Sequence, residues 1–467
     1  MPDRIEHDFL GADLGDARRN HRLGRVAAHL AQAPAASISA ACGGWAEAMA
    51  AYRLLNAPEV TPAAILAPHQ RALLARAATV PCVLVVQDTT EIDFSHMQTM
   101  EGRGPLNDEA RRGFFMHSLY ALSEAGLPLG VLDTAIVARR DEDFRQAAAR
   151  KHTPIAQKES WRWVQGYLRT QEAARQLPGC EVFSISDREG DIYEVFQAWA
   201  QAGADGGPRA HWIIRANQDR ALEDRALEGL AVEAPQKLFA ALAAAPELGT
   251  MEFRVSAKQQ KKKIKGSTVQ VARSARMVHQ RLRAMPITPA RPPASLRLSP
   301  PPPRRAPFRR GGKLPAVSFW AVLAEEIEPP PGEEPLRWLL LTSAEVTTPE
   351  AARRIVALYL RRWDIEVFHR VLKTGCRVEA LQLKDPQAVR NCLVLYAGHR
   401  LAHPLSDPSR ATMPGVALRR GLRGGRVEGR LHRGRRREKT RAVARAHPGG
   451  VHRAGGEVWR PSRSPRR

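Results

Sequence analysis

The sequence has few cysteines, few aromatic residues and no long apolar run. Its five cysteines are scattered over 467 residues without a C-x-x-C pair, which argues against a zinc finger or a disulfide framework and fits a reducing cytosol. No stretch of eighteen apolar residues occurs, and the N-terminus is polar and acidic. We therefore expect no membrane partner, no signal peptide and a cytoplasmic location.

Acidic residues are in deficit. The chain holds 72 Lys/Arg against 48 Asp/Glu, a formal charge of +24, with a pI near 10.7. Such a balance predicts a polyanion, above all nucleic acid, as the partner. The tail from Arg400 onward carries +15 of this charge, and the remaining +9 leaves the body of the chain basic. The length allows two or three domains with cores of their own.

Four residues near the end of the body share one helical stripe. Tyr359, Arg362, Glu366 and Lys373 are spaced by three, four and seven positions. On a helix that turns about 100° per residue they lie on one face. A lone stripe of this kind is also typical of a solvated helix surface with ordinary ion pairs.

Two aspartates upstream follow short apolar runs. Asp88 comes after residues 82–86 and Asp187 after residues 182–186, and both runs are typical of buried strands. Taken singly, Asp88 also fits a turn and Asp187 a helix cap. Phosphodiester cleavage is assisted by two divalent ions about 4 Å apart, and hard ions prefer carboxylate oxygens. Asp88, Asp187 and Glu366 are therefore the candidate catalytic residues and metal ligands.

The spacing Tyr-x2-Arg-x3-Glu-x6-Lys, with the two aspartate segments upstream in the same order, resembles the signature of the IS4-type DDE transposases, which include the Tn5 transposase. The resemblance spans about residues 5–396. It implies a DNA transposase of an insertion sequence that nicks the element ends, forms a hairpin and transfers the 3′-hydroxyl into target DNA. It also implies two Mg²⁺ ions, for which Mn²⁺ can substitute, a homodimer on paired inverted repeats and a place at the nucleoid.

The same resemblance implies contacts to double-stranded DNA. Arg362 and Lys373 would clamp phosphates, Tyr359 would hydrogen-bond or stack at a distorted nucleotide, and Trp338 would stack on a flipped base. Further implied contacts are Arg215, Arg53 and the Arg18, Arg19 and Arg22 stripe that follows Leu14-Gly-Asp. From the residues alone, Trp338 fits a core aromatic equally well, and the arginine stripe fits a solvated helix surface.

The pattern of elements predicts an α/β protein. Residues 1–77 have helical periodicity and predict a small helical DNA-binding domain. Residues 78–214 are expected to form strand, strand, strand, helix and strand, the order of an RNase H-like catalytic core. Residues 346–397 complete this core and contain a helix that carries the four-residue stripe, then a second helix over about 386–396.

Between the two parts of the core, residues 215–345 predict a β-rich insertion. Two helical segments follow Arg215, and strands follow these. The basic stretch 258–265 is expected as a loop, either a solvated hairpin tip or a phosphate contact. The Pro- and Arg-rich segment from about 283 to 313 is expected as a mobile loop.

Residues 398–467 are rich in Arg, Gly and Pro and predict a disordered tail. The tail is either a basic nucleic-acid arm or the product of a frameshift. A neighbouring reading frame of this segment can encode an amphipathic helical continuation, which favours the frameshift, with impaired pairing of element ends. Three functions compete: a cut-and-paste transposase, a metal nuclease of the same fold, and an inactive or truncated remnant that binds DNA without completing transposition. The motif and the three acids favour the transposase.

Overall fold

The computed structural model describes residues 6–144, 154–203, 206–223, 236–255, 257–264, 267–292, 314–399 and 417–418. Within these residues, the central element is a mixed sheet of eleven strands. Its order is β13-β7-β10-β11-β12-β6-β5-β1-β3-β2, with β4 also paired to β3. The strands are β1 Cys82–Asp93, β2 Gly104–Pro105, β3 Arg112–Ser123, β4 Pro128–Val137, β5 Glu181–Ser186, β6 His211–Arg215, β7 Glu247–Val255, β10 Arg276–Ile287, β11 Phe319–Glu326, β12 Arg337–Thr342 and β13 Ala417–Leu418. A separate ribbon pairs β8 Lys258–Ile264 with β9 Ser267–Arg273.

The first five long strands follow the predicted order. β1, β3 and β4 form an antiparallel meander, and β5 and β6 run parallel to β1. Helix α5, Trp161–Arg175, lies between β4 and β5 in the chain, and α6, Tyr193–Ala202, between β5 and β6. Residues 82–86 are buried throughout because both faces of the sheet are covered, which explains their unbroken apolar run.

The predicted β-rich insertion extends this sheet. β12 pairs antiparallel with β6, and β11, β10 and β7 continue outward. Two expectations were wrong here. The basic stretch is strand β8 rather than a loop, and β10 continues to Ile287, inside the segment predicted as a mobile loop, because residues 280–287 pair with β11. One predicted helix is α7, Leu238–Ala244; residues 224–235 and 293–313 lie outside the described residues.

Four N-terminal helices pack on the end of the chain's body. They are α1 Ala17–Gln32, α2 Ile38–Ala41, α3 Trp45–Leu55 and α4 Pro62–Ala77. Helix α10, Pro386–His399, lies against them, and the buried Asn391 amide donates to the carbonyls of Leu55 and Val60 at 2.9 and 2.8 Å. The helical region and the last helix therefore share one hydrophobic core.

The sequence predicted that the four-residue stripe lies on one continuous helix, and this prediction was wrong. Helix α8, Pro349–Leu360, starts at the Thr348 cap, as its Thr-Pro-Glu signal predicts. Helix α9, Trp363–Arg370, follows after a two-residue turn, and residues Val371–Gly375 form a π-helical turn. Tyr359 therefore lies in the last turn of α8, whereas Arg362 is the N-cap residue of α9.

Most of the predicted tail lies outside the described residues. Where it is described, it differs from the prediction: Gly398 and His399 end α10, and Ala417–Leu418 pairs with β7. Among the described helices, none is long and apolar enough to cross a membrane.

Candidate active site

The pairing of β1 with β5 brings the two candidate aspartates side by side. The last parallel pair is Val86 with Ile185, and Asp88 and Asp187 each lie two positions further along. Parallel neighbours are about 4.8 Å apart, so both carboxyl groups leave the same edge of the core. The sequence predicted Asp88 at the end of a strand, and this was wrong. Strand β1 continues to Asp93 because it pairs antiparallel with β3 along this length.

Asp88 lies in an environment that disfavours its charge. Its side chain is 20% exposed. Burial raises the pKa of Asp88 to about 6, and the charges of Asp187 and Glu366 add to this rise, against the opposing effects of Arg362 and the Thr89 N–H. Three carboxylates are therefore close enough to repel one another. Such a group is typical of functional sites.

Asp187 and Glu366 stand on short structural supports. Asp187 begins the 3₁₀ turn Arg188–Gly190 and accepts a hydrogen bond from the Glu189 N–H at 2.8 Å. The cap that the sequence offered as the alternative is thus present, and the carboxylate keeps further acceptor capacity. Glu366 lies in the first turn of α9, where its carboxylate contacts the Arg362 guanidinium.

Arg362 is the cation of this cluster. Its side chain is 13% exposed, and one guanidinium nitrogen lies 3.7 Å from Asp88 Oδ2 while another contacts Glu366 Oε1. Burial opposes the guanidinium charge, but Tyr359, Asp88 and Glu366 outweigh it and raise the pKa of Arg362. Arg362 thus joins two of the three candidate carboxylates.

Tyr359 and Arg215 are close neighbours of Arg362. Tyr359 is buried, and its hydroxyl and the Arg215 guanidinium lie close enough to interact electrostatically. Burial is the main cause that raises the pKa of Tyr359 and lowers that of Arg215. The buried ring leaves Tyr359 more suited to hydrogen bonding through Arg215 than to stacking on a base.

The other predicted contacts lie further out. Lys373 Nζ is 3.7 Å from Glu379 Oε1, on the π-helical turn that follows α9. Trp338 stacks on Phe253 with ring centroids 5.4 Å apart, a contact that accounts for its partial burial. It precedes by two residues Leu340, the partner of Arg215 across β12 and β6.

The N-terminal arginines belong to a different surface. Asp16 caps α1 by accepting hydrogen bonds from the backbone N–H groups of Arg18 and Arg19. The aspartate of the Leu-Gly-Asp-x-Arg-Arg segment therefore has a structural role at the start of a helix. Arg18 is exposed, whereas Arg22 pairs with Glu47 at 2.8 Å. Arg19 pairs with Glu59 at 3.2 Å, and Arg53 is exposed at the end of α3.

Nearby acids have other partners. Asp93 binds Arg111 at 2.8 Å, and the exposed Glu189 pairs with Arg162 at 3.5 Å. Asp191 is buried and accepts from Arg220 at 2.6 Å and from two backbone N–H groups. Asp93, Glu189 and Asp191 are thus each engaged by an arginine outside the carboxylate cluster.

Sequence reasoning missed a buried polar layer beneath Asp88. Gln87 donates to Ser184 at 2.6 Å, and His117 lies 2.9 Å from Thr89 Oγ1 and 3.4 Å from Gln87 Oε1. Burial lowers the pKa of His117 to about 3, so the ring is neutral. Gln87 and Thr89 flank Asp88 along β1, and their contacts join this strand to Ser184 on β5 and to His117 on β3.

A second buried histidine ties α9 to the sheet. His369 Nε2 lies 3.3 Å from Ser118 Oγ, and Ser118 is the β3 partner of Asp88. Burial lowers the pKa of His369 to about 3, with Lys373 and Arg362 adding to the effect. The contact holds the helix of Glu366 against β3, the strand that pairs with β1 at Asp88. Sequence reasoning also missed Trp45, which begins α3 and is 80% exposed.

The donor set fits a divalent metal in its chemistry, because three carboxylates are hard oxygen ligands. Within the described ranges, however, no three His, Cys, Asp or Glu side chains are already arranged around one point. The Arg362 guanidinium lies between two of the carboxylates instead.

Comparison with protein families gives two matches. Residues 2–60 match the transposase DNA-binding family, and residues 206–398 match the transposase DDE domain. The second match contains Glu366 and the rest of the four-residue stripe, and it begins after Asp88 and Asp187.

Proposed function

From the transposase DNA-binding region and the transposase DDE domain in this chain, we propose that the protein is an insertion-sequence transposase of the IS4 type. It cleaves DNA at the element ends and joins the freed 3′-hydroxyl to target DNA. The observation that supports this most strongly is the Val86–Ile185 pairing, which aligns Asp88 with Asp187 beside Glu366. The order β4-β3-β1-β5-β6 supports an RNase H-like core.

Asp88, Asp187 and Glu366 would hold two Mg²⁺ ions, or Mn²⁺ in their place. When bound, such ions supply a water of lowered pKa and stabilise charge on the attacking and leaving oxygens. The protein's own part is to fix the three carboxylates, and the Gln87 and His117 layer and the His369 contact with Ser118 serve this purpose.

The reaction begins with hydrolysis at the element end. A water oxygen bonds to phosphorus, the P–O3′ bond breaks, and the 3′-oxygen leaves with a proton as a hydroxyl. That hydroxyl attacks a phosphorus of the opposite strand and displaces the 3′-oxygen of the flanking DNA, which leaves with a proton, so that the element end closes as a hairpin. Water then cleaves the hairpin bond and restores the 3′-hydroxyl. This hydroxyl attacks a phosphorus of target DNA and displaces a target 3′-oxygen, which leaves as a hydroxyl. Arg362 and Lys373 would hold the phosphates in line, because guanidinium and ammonium groups pair with phosphate oxygens.

DNA recognition would be divided between two surfaces. Arg18 and Arg53 on the N-terminal helices offer exposed cations to the DNA backbone, and Trp45 at the start of α3 offers an exposed ring. Near the carboxylates, Arg215 and Trp338 would contact the end of the element. Phosphate contacts position the protein, and base contacts give sequence preference.

The test uses the full chain, Mg²⁺ and a duplex copied from the inverted repeats that flank the gene. We expect strand breaks that leave 3′-hydroxyls at the repeat and joined products in a target plasmid. Asp187→Asn and Glu366→Gln should bind the same duplex without breaking it. Glu189→Gln, which removes an exposed acid paired with Arg162, is the matched control and should cleave normally.

The other outcomes identify the competing functions. Cleavage of any duplex without joined products would mean a metal nuclease of the same fold. Binding of the repeat with no cleavage under any metal would mean a remnant that no longer completes transposition.

A further inference from the structure

Arg362 already serves as the counter-ion of the carboxylate cluster. It contacts Glu366 and lies 3.7 Å from Asp88, and its side chain is largely buried. A carboxylate that accepts a hydrogen bond from guanidinium has fewer lone pairs left for a metal. In addition, a divalent cation placed against the same two carboxylates would be repelled by the guanidinium charge.

The backbone around Arg362 is suited to a change of side-chain partner. Between α8 and α9, the Arg362 N–H bonds the Tyr359 carbonyl at 2.9 Å, and the Asp364 N–H bonds the Arg361 carbonyl at 2.9 Å. These are i to i+3 bonds of the 3₁₀ type, which often mark a hinge within a helical segment. Arg362 therefore stands at a junction rather than inside a regular helix.

A DNA phosphate is the natural competitor for the guanidinium. Guanidinium pairs with phosphate in the same two-pronged geometry as with carboxylate. The transfer of Arg362 from Glu366 and Asp88 to a phosphate would release both carboxylates at the moment when the substrate arrives.

We infer that Arg362 keeps divalent cations out of the carboxylate cluster until a DNA phosphate takes over its guanidinium, so that metal and DNA bind with positive coupling. The inference rests on the proposed metal-dependent function. Because coupling is reciprocal, DNA must raise the affinity for metal by the same factor by which metal raises the affinity for DNA.

The first experiment measures Mn²⁺ binding to the DNA-free full chain by the electron paramagnetic resonance signal of free Mn²⁺. Arg362→Gln should bind Mn²⁺ roughly tenfold more tightly than the wild type, an effect of the size that one near charge pair has on an equilibrium. Arg361→Gln removes the neighbouring cation, which instead contacts the Ala125 carbonyl at 3.0 Å. It should bind Mn²⁺ as the wild type does.

The second experiment repeats the Mn²⁺ binding measurement with the duplex present. DNA affinity is measured separately, with Ca²⁺ in place of Mn²⁺ so that cleavage does not interfere. The wild type should bind Mn²⁺ roughly tenfold more tightly with the duplex than without it, and this gain should shrink in Arg362→Gln. Arg362→Met, which also removes the charge, serves if the Gln variant does not fold. It should likewise bind Mn²⁺ more tightly than the wild type.

Two failures can be told apart. Equal or weaker Mn²⁺ binding by the folded Arg362 variants without DNA overturns the inference and leaves the proposed function intact. If no protein binds Mn²⁺ even with the duplex, or if Glu366→Gln in the Arg362→Gln background leaves the binding unchanged, the metal site itself is refuted, and the inference with it.

Discussion

Val86 and Ile185 form the last pair of the parallel β1 and β5 ladder, and this pair sets Asp88 beside Asp187. Because the register fixes which residues align, a strand shift of one position would turn one of the two carboxylates to the other face of the sheet. The Asp88 carboxylate is held there at a cost, since burial and two neighbouring acids disfavour its charge. The charged Asp88 carboxylate therefore lowers the free energy of unfolding of the protein.

The first prediction concerns Asp88→Asn. The pKa of the Asp88 carboxyl rises from 3.8 to about 6 on folding. The contribution of Asp88 to the free energy of unfolding is therefore most favourable below pH 4 and is lost as the pH rises through about 6. At neutral pH without divalent metal, the variant should be more stable than the wild type by up to about 3 kcal/mol. Thermal unfolding at several pH values measures this.

The gain should disappear near pH 4, where the wild-type carboxyl is protonated too. Glu101→Gln, at an exposed position, controls for a general effect of charge and should change little at any pH. A stabilisation that is the same at pH 4 and pH 8 would contradict an origin in the ionisation of Asp88.

Much of this site could be predicted from the sequence, and the reasons differ by residue. Apolar runs located β1 and β5, and the spacing of Tyr359, Arg362 and Glu366 located the helical part. The link from Arg362 to Asp88 could not be predicted, because it joins residues far apart in the chain whose proximity depends on how α9 packs on β1. The continuation of β1 past Asp88 depends likewise on its pairing with β3.

The basic stretch 258–264 shows a different limit. Its lysines and glutamines have low strand propensity, so the sequence predicted a loop, yet the segment pairs along its length with β9. Pairing with a neighbour overrode local propensity. Gln87 and His117 were missed because polar residues in buried strands give no periodic signal of their own. His369 was missed because its partner Ser118 lies far away in the chain.

The second prediction concerns Gly166→Ala in α5. A Cβ at this position would lie 2.1 Å from Gln87 Oε1, and Gln87 is buried and hydrogen-bonded to Ser184. The side chain has no free direction to move, so we expect a loss of about 1–3 kcal/mol in the free energy of unfolding. Urea denaturation measures it. Gly207→Ala, where a Cβ meets nothing within 4 Å, should be neutral, and equal effects at both positions would refute the steric argument.

The third prediction separates a structural acid from the three candidate catalytic carboxylates. Arg220→Met should destabilise the protein by about 3 kcal/mol or more, because it leaves the buried Asp191 carboxylate without its cation. Arg140→Met removes an exposed pair with Asp143 and should cost less than about 0.5 kcal/mol. Unfolding curves for the two variants would show no difference if Asp191 were supported by its backbone bonds alone.

The fourth prediction concerns Trp45, whose ring is exposed within the region that matches the transposase DNA-binding family. Trp45→Ala should weaken binding of the repeat duplex by roughly 1–3 kcal/mol if the ring stacks on a base, while Trp45→Tyr should retain most of the affinity. Fluorescence anisotropy with a labelled duplex measures both. Unchanged affinity in the alanine variant would remove Trp45 from the interface.

The last prediction ranks the N-terminal arginines by whether their charge is free. Arg18 and Arg53 are exposed, whereas Arg22 shares Glu47 with Arg25 at 2.8 and 3.0 Å. Each phosphate contact that is lost lowers the slope of log affinity against log salt by about 0.9. Arg18→Gln and Arg53→Gln should each show this loss, and Arg22→Gln a smaller one, because Glu47 already offsets its charge. Glu47→Gln, which frees Arg22 and Arg25, should steepen the slope and strengthen binding at low salt. A larger effect from Arg22 than from Arg18 would mean that the Glu47 pair opens when DNA binds.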